Sequence, residues 1–362
     1  MRFLSNADVA QLLDMPVAME ALRVGYDDLR IGQATYGPRI DYLTPTGRRE
    51  DYYQWGSMTG ACRSYGVVAV RMKSDIVSWP DGRTQEKYCV APGTYCGLIL
   101  LFSANDGAPL AMLHDGYLQH MRVGAAIGIG TDRLARRDAD TLGLLGSGGM
   151  ARTFLEALAL VRRPRRVRVY SPNRDHREQF AKRAESELGL PVEAVDGAEA
   201  AVRDSSIVAT ATDSMRPTFD PDWLSPGSHV AVVTRRELSE ALLDRADRVV
   251  QLGWHTVPPG TPLPMLEWAA GGIAAYVAGS EKERARLPAS RGAERGSYST
   301  LVEVERGDAP GRTSDDEVTL LVGTGTQGLQ FAAVAGRVWQ LAAETDLGRE
   351  LPTEWFLQDI RD

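Results

Sequence analysis

"DTLGLLGSGGMARTFLEALALV", residues 140–161, is the stretch whose reading decides the fold. It runs from an apolar strand through a glycine turn into a helix. Gly146, Gly148 and Ala151 fit the G-x-G-x-x-[GA] spacing. In that pattern Gly146 permits the tight turn and Gly148 lets backbone N–H groups approach a pyrophosphate. Ala151 lets the helix pack close to the strand. The helix N-terminus then faces the anion. The bare motif is weak, but here it heads a βαβ unit of about 30 residues. Gly146, Ser147, Gly148, Gly149 and Met150 are therefore candidate cofactor-binding residues.

The next strand bears on the cofactor type. NAD binders usually place an acid at its end, to bond the ribose hydroxyls. This chain reads "VYSPNR", with Ser171 at that place and Asn173 and Arg174 just after. Ser and Arg can hold a 2′-phosphate that a carboxylate would repel, so NADP(H) is favoured and NAD(H) is the alternative. A merely solvated Arg174 is the competing reading. Further on, "TATDS" (210–214) ends a strand in small polar residues, and Thr210 and Thr212 are candidates beside the nicotinamide ribose.

Working outward, strands alternate with helices. "RRVRVYSPNRDHREQFAKRAESELG" (165–189), "SIVATATDS" (206–214), "GSHVAVVT" (227–234) and "ADRVVQLG" (246–253) supply further strands. This spacing predicts an α/β fold with a parallel, doubly wound sheet of Rossmann type. Upstream the character differs. Residues 5–31 read as helix, with Ser5 or Asn6 as N-cap. "GVVAVRMKSDIV" (66–77) alternates as a strand, and "YCGLILLFSANDGAPLAMLHDG" (95–116) reads as an antiparallel hairpin. "YLQHMRVGAAIGIGTDRLAR" (117–136) is a helix rich in small residues. Residues 258–316 are irregular, with "VPPGTPLP" and "PASRGAERGS" expected as loop or insertion. "EVTLLVGTGTQGLQFAAVAGRVWQLAAETDLG" (317–348) returns to strand, glycine turn and long helix.

The bulk properties narrow the function. The 362 residues are enough for two cores. A net charge of -7 argues against a nucleic-acid partner. The basic run "RRPRRVR" (162–168) reads as a solvated loop before a strand. Cys62, Cys89 and Cys96 are too few and too irregular for a disulfide framework, and five histidines offer no metal-binding spacing. No signal peptide or apolar run of membrane-spanning length is present, so a cytoplasmic protein without a membrane partner is expected.

The chain resembles the ornithine cyclodeaminase/mu-crystallin family along nearly its whole length. "DGAPLAMLHDGYLQHMRVGAAIGIGTDRLAR", "GLLGSGGMAR", "VRVYSPNR", "GDAPGRTSDDEVTLL" and "GTGTQGLQFAAVAGRVW" carry the resemblance by their order and spacing. It implies a discontinuous α+β substrate and dimerisation domain, residues 1–125 and 318–362. A dinucleotide-binding domain, residues 126–317, would be inserted in it. It also implies a homodimer. The implied chemistry is hydride exchange at the α-carbon of a small imino or amino acid, as in ketimine reduction or amino-acid dehydrogenation. A cyclodeaminase that recycles NAD, or a crystallin-like nucleotide binder without turnover, are the alternatives.

By the same resemblance the substrate carboxylate would be clamped by Arg39 ("YGPRI"), Lys73 ("VRMKSD") and Arg122 ("HMRVGAA"). Physical reasoning agrees, since Arg grips a carboxylate with two hydrogen bonds. Arg122 lies in a small, apolar helix where an unpaired charge would be costly. Structural ion pairs are the competing reading for all three. Arg71 alternates onto the face of Lys73 and could take its place. Lys73, if desolvated, is also the candidate acid–base group, with Arg122 beside it as the second catalytic candidate. One departure stands out. Cyclodeaminases of the family carry an Asp after the strand corresponding to "GSHVAVV", where this chain has Thr234, Arg235 and Arg236. That puts ornithine cyclodeamination in doubt and suggests a more anionic substrate or a phosphate contact. Aromatics in "DYYQWGSM" (51–58) and "IVSWPDG" (76–82) are expected either to line a pocket or to pack in the core.

Overall fold

The computed structural model describes residues 1–48, 50–254, 274–288 and 298–360. Elements of the first half are β1 (Arg2–Leu4), α1 (Asn6–Leu12), α2 (Met15–Arg30), β2 (Ala34–Tyr36), β3 (Ile40–Pro45), β4 (Tyr52–Cys62), β5 (Val67–Ser78), β6 (Glu86–Tyr88), β7 (Cys96–Ser103), β8 (Pro109–His114) and α3 (Gly116–Leu134). The second half continues with β9 (Thr141–Leu145), α4 (Gly149–Arg162), β10 (Arg166–Tyr170), α5 (Arg174–Leu188), β11 (Val192–Ala194), α6 (Ala198–Val202), β12 (Ile207–Thr210), β13 (His229–Val232), α7 (Glu240–Arg245) and β14 (Arg248–Gln251). Last come β15 (Ala274–Val277), α8 (Glu281–Arg284), β16 (Ser299–Thr300), α9 (Leu301–Arg306), β17 (Thr319–Val322), α10 (Gln327–Thr345) and β18 (Arg349–Glu350). The loop readings of "VPPGTPLP" and of nearly all of "PASRGAERGS" fall outside the described residues.

The second sheet runs β11-β10-β9-β12-β13-β17-β14-β16, and its pairs are parallel. The strand order reverses between β9 and β12, at the carboxyl end of which ligands bind in such sheets. β17 sits between β13 and β14, although more than 65 residues separate it from either in sequence. The first sheet runs β15-β3-β4-β5-β7-β8-β1-β18, with β2 on β4 and β6 on β5. From β3 to β8 its pairs are antiparallel, as the hairpin reading required. β15 pairs in parallel with β3, so a segment from the middle of the chain returns to the first sheet.

Two helices stand where one was expected over residues 5–31. Ser5 caps α1 with a capping box to Asp8, and Asp14 opens α2 by accepting from the Val17 amide. Pro16, in the first turn of α2, fits only a helix start. The small residues of α3 have a packing reason. A Cβ on Gly124 would lie 2.5 Å from the Thr153 carbonyl oxygen, and one on Gly128 would lie 2.8 Å from the Ala157 side chain. α3 and α4 therefore meet almost backbone to backbone. The basic run 162–168 is not all solvated. The Arg162 side chain is 3% exposed and donates to the carbonyls of Asp132, Ala135 and Arg136 at and just past the end of α3. A cation there satisfies orphan carbonyls and the helix dipole.

Candidate active site

Across the first sheet, Asp41, Gly56, Lys73 and Gly97 form one transverse row. The two glycines make room. A Cβ on Gly56 would lie 2.4 Å from an Asp41 oxygen and 2.9 Å from Lys73 Cε, and one on Gly97 would lie 2.1 Å from Asp115. Charged side chains thus lie flat over glycine on a strand face. Period-two alternation puts Arg71, Lys73 and Asp75 of β5 on this same face, and all three line a cleft of about 1920 Å³.

Lys73 is 5% exposed. Its Nζ donates to Gln54 Oε1 at 2.7 Å and to Asp75 Oδ2 at 3.1 Å. Burial, together with the Arg39 charge, pulls its pKa down to about 8. Arg39 pairs with the fully buried Asp41 at 2.9 Å. Arg71 pairs with Asp115 at 2.5 Å. So both members of the Arg71/Lys73 alternation reach the cleft, each with its own aspartate.

Arg122 differs. It is 5% exposed, and among the described residues it has no carboxylate within ion-pair distance. Nη1 donates to Gln330 Oε1 at 2.7 Å and Nη2 to Gln119 Oε1 at 2.8 Å, and the guanidinium lies over the Phe331 ring at 4.7 Å. Burial and the Arg71 charge pull its pKa downward. Gln330 is itself fixed, donating to Thr326 Oγ1 at 2.9 Å and to the Tyr26 hydroxyl at 3.3 Å. Tyr26 is kept neutral, its pKa raised to about 12 by burial. Sequence reasoning missed Gln330 and Gln119. Their amides orient the guanidinium without neutralising it, and only the packing of α10 on α2 and α3 brings Gln330 there.

The same cleft opens onto the glycine turn. Gly146 has φ +115°, and a Cβ there would lie 2.4 Å from the Ala211 carbonyl oxygen. Both facts demand glycine. Gly148 is the N-cap of α4, and among the described residues no atom lies within 4 Å of where its Cβ would be. This open cradle at a helix N-terminus fits a dinucleotide pyrophosphate. Ser147, Gly149 and Met150 line the cleft beside it, and Ser147 Oγ lies 2.8 Å from Ser171 Oγ.

Not every candidate reaches the cleft. Asn173 lines it while accepting from the His176 amide as the cap of α5. Arg174 does not line it; its exposed guanidinium donates to Glu178 at 2.7 Å. Thr212 lines the cleft and donates to Glu237 Oε1 at 2.7 Å, whereas Thr210 is buried at the end of β12 away from it. Glu237 also receives the Thr234 amide, joining the loops that follow β12 and β13, and burial raises its pKa. None of the aromatics of 51–58 or Trp79 lines the cleft. Tyr52 and Trp79 pack in a small core with Val77 and Val277. Trp55 lies on the opposite sheet face with Tyr42 and Tyr276. Lys87 and His120, which sequence reasoning did not single out, do line the cleft.

A two-sheet protein with a parallel dinucleotide-type sheet and a cationic cleft at its switch point is thereby defined. The sequence model of the ornithine cyclodeaminase/mu-crystallin family matches residues 77–335. The chain belongs to that family. It is 28% identical to an alanine dehydrogenase of Archaeoglobus fulgidus over 357 residues, covering 96% of this chain and 97% of that one. It is 26% identical to a Δ1-pyrroline-2-carboxylate reductase of Bacillus cereus over 265 residues, covering 71% of this chain and 74% of that one. Its fold resembles that of the Thermococcus litoralis Δ1-pyrroline-2-carboxylate reductase in complex with NADH and L-proline. That likeness has a TM-score of 0.74 at 23% identity, covering 97% of this chain and all of the other.

Proposed function

We propose that the protein is an NAD(P)(H)-dependent oxidoreductase acting at the α-carbon of an imino or amino acid. The observation that carries this reading is that the glycine turn shares a cleft with the buried Arg122, which no ion pair matches among the described residues. When bound, the nicotinamide supplies or accepts the hydride. Arg122 takes the substrate carboxylate, a buried cation whose neutral partners leave its charge for an anion. Arg39 and Lys73 complete the clamp. In the reductive direction the C=N carbon gains hydride and the nitrogen gains a proton, while NAD(P)H becomes NAD(P)+. Lys73 holds that proton; a lysine with a pKa near 8 can donate it and, in reverse, accept it from the amine.

Residues 1–125 and 318–362 are read as the substrate and dimerisation domain, and 126–317 as the dinucleotide domain, except that β17 belongs to the parallel second sheet and β15 to the first sheet. The aromatic outer face of the first sheet, with Tyr42, Trp55 and Tyr276, suits a homodimer contact, to be checked by light scattering in solution. Ser171 in place of an acid favours NADP(H). Arg174 would have to exchange Glu178 for the 2′-phosphate, so Arg174→Ala should weaken NADPH about tenfold more than NADH. Equal losses would refute that assignment.

The deciding experiment is steady-state NAD(P)H oxidation with Δ1-pyrroline-2-carboxylate and with simple α-imino acids. Sustained consumption is expected. Ammonia release from ornithine without net cofactor change would replace this reading by cyclodeamination. Nucleotide binding without turnover on any imino or amino acid would replace it by a binding role.

A further inference from the structure

The cleft wall carries more positive charge than one carboxylate requires. Arg39, Arg71 and Lys73 are matched by Asp41, Asp115 and Asp75. Arg122, Lys87 and Arg236 also line the cleft, and no ion pair among the described residues matches them. Arg122 is at one pole, beside Arg71 and Asp115. Lys87 and Arg236 are at the other; burial pulls both pKa values down, that of Lys87 strongly, and repulsion from the intervening Arg39, felt also by Arg122, adds to it, so an anion bound here would favour the charged forms.

This second pole is built from both halves of the molecule. Lys87 stands on β6 opposite Val77, on the sheet face of Lys73 and Asp75. Arg236 follows β13. The segments are clasped by a bridge between Thr84 and Ser214 and by the Gln85 amide donating to the Asp213 carbonyl. Arg236 is 6% exposed; its Nη1 donates to Gln85 Oε1 at 3.2 Å and also meets the Met215 sulfur. Among the described residues, three buried polar atoms here have no hydrogen-bond partner: Arg236 Nε, Gln85 Nε2 and Thr234 Oγ1. All three can donate, and two can only donate. Neighbouring acids answer this pole only in part. The charges of Glu237 and Asp213 favour the Arg236 cation, but Glu237 is engaged by Thr212 and Thr234, and neither acid forms an ion pair with Arg236 among the described residues.

We propose that Arg236, Lys87, Gln85 and Thr234 form a second carboxylate site, so that the substrate is an α-imino or α-amino dicarboxylic acid. This rests on the functional reading above, with the α-carboxylate at Arg122 and the side-chain acid at Arg236. Unmatched buried donors are costly, and an anion relieves the cost where a neutral side chain would not. Discrimination follows, because a substrate lacking the second acid leaves those donors unpaired.

The test uses imines formed in place from ammonium and 2-oxo acids differing by one carboxylate: oxaloacetate against pyruvate, with 2-oxoglutarate to gauge length. NAD(P)H oxidation is followed. The wild-type protein should prefer a dicarboxylic substrate at least about tenfold in kcat/KM. Arg236→Gln and Lys87→Gln should each shrink that ratio toward one, chiefly through KM. A wild-type measurement covers the case of unstable variants: succinate should inhibit competitively at least about tenfold more tightly than propionate. Turnover of the pyruvate imine without dicarboxylate preference, or preference intact in both variants, would overturn the second site alone. No turnover of any imine would overturn the functional reading beneath it.

Discussion

Arg122 and Lys73 share a cleft but differ in setting. Arg122 is held by two amides and a ring face, a setting that fixes direction and keeps the charge available. Arg122→Ala should lower kcat/KM about 100-fold, about 3 kcal/mol, while dinucleotide affinity measured by fluorescence titration stays put. Unchanged kinetics would remove it from the substrate site. Lys73, with its pKa near 8, should set the alkaline limb of imine reduction. In the proposed role the protonated form is the donor, so the reductive rate should fall as pH rises through about 8, and amine oxidation should rise over the same interval. Lys73→Arg should move that limb upward by more than one pH unit; a limb that stays where it was would assign it to another group. Arg122 was legible in the sequence because a lone Arg in "MRVGAAIGIG" is locally anomalous. Gln330 was not, because its partners lie 208 and 304 residues away. Nor were the orphaned donors at Arg236, which exist only once two distant loops are clasped.

At the scale of elements, glycine decides how closely layers meet. α10 lies against β4 at Gly60 and Gly328. A Cβ on Gly328 would sit 1.7 Å from the Thr59 carbonyl oxygen, and one on Gly60 would sit 2.3 Å from the Gly328 carbonyl carbon. Gly328→Ala must push α10 outward, carrying Gln330 with it. It should cost about 1–3 kcal/mol in urea unfolding and raise KM as the Arg122 support loosens. A stable variant with wild-type KM would show that α10 does not position the clamp. Local patterns made most strands and helices legible: the glycine turn, the alternation of β5, the turn between β7 and β8. Pairing was another matter. The place of β17 between β13 and β14, and of β15 on β3, depends on contacts across the fold that no short window contains. The aromatics of β4 illustrate the limit. Alternation sends Tyr52 inward and Trp55 outward, yet does not say which face meets the cleft.

The whole molecule is tied along α3, whose first turns reach the cleft and whose last turns pack on the second sheet. His229 of β13 fastens that far end, its ring nitrogens 2.8 Å from Thr319 Oγ1 and 3.2 Å from Thr131 Oγ1. Burial, then the Arg312 charge, pushes its pKa down to about 3. The unfolded chain, with an ordinary histidine pKa near 6.5, takes up a proton that the folded state refuses. Stability from this residue is therefore full above about 6.5 and is lost as pH falls toward 3, by about 4–5 kcal/mol in the limit. His229→Gln should flatten the dependence of Tm on pH between 4 and 7; parallel curves for both proteins would assign acid lability elsewhere. A ribosome finishes β13 and β14 long before it reaches residue 319, so the nascent sheet must wait with an unzipped seam at its centre. Open strand edges of this kind recruit other chains. Removing the final fifty residues would therefore not trim the protein but withdraw the strand that closes the seam.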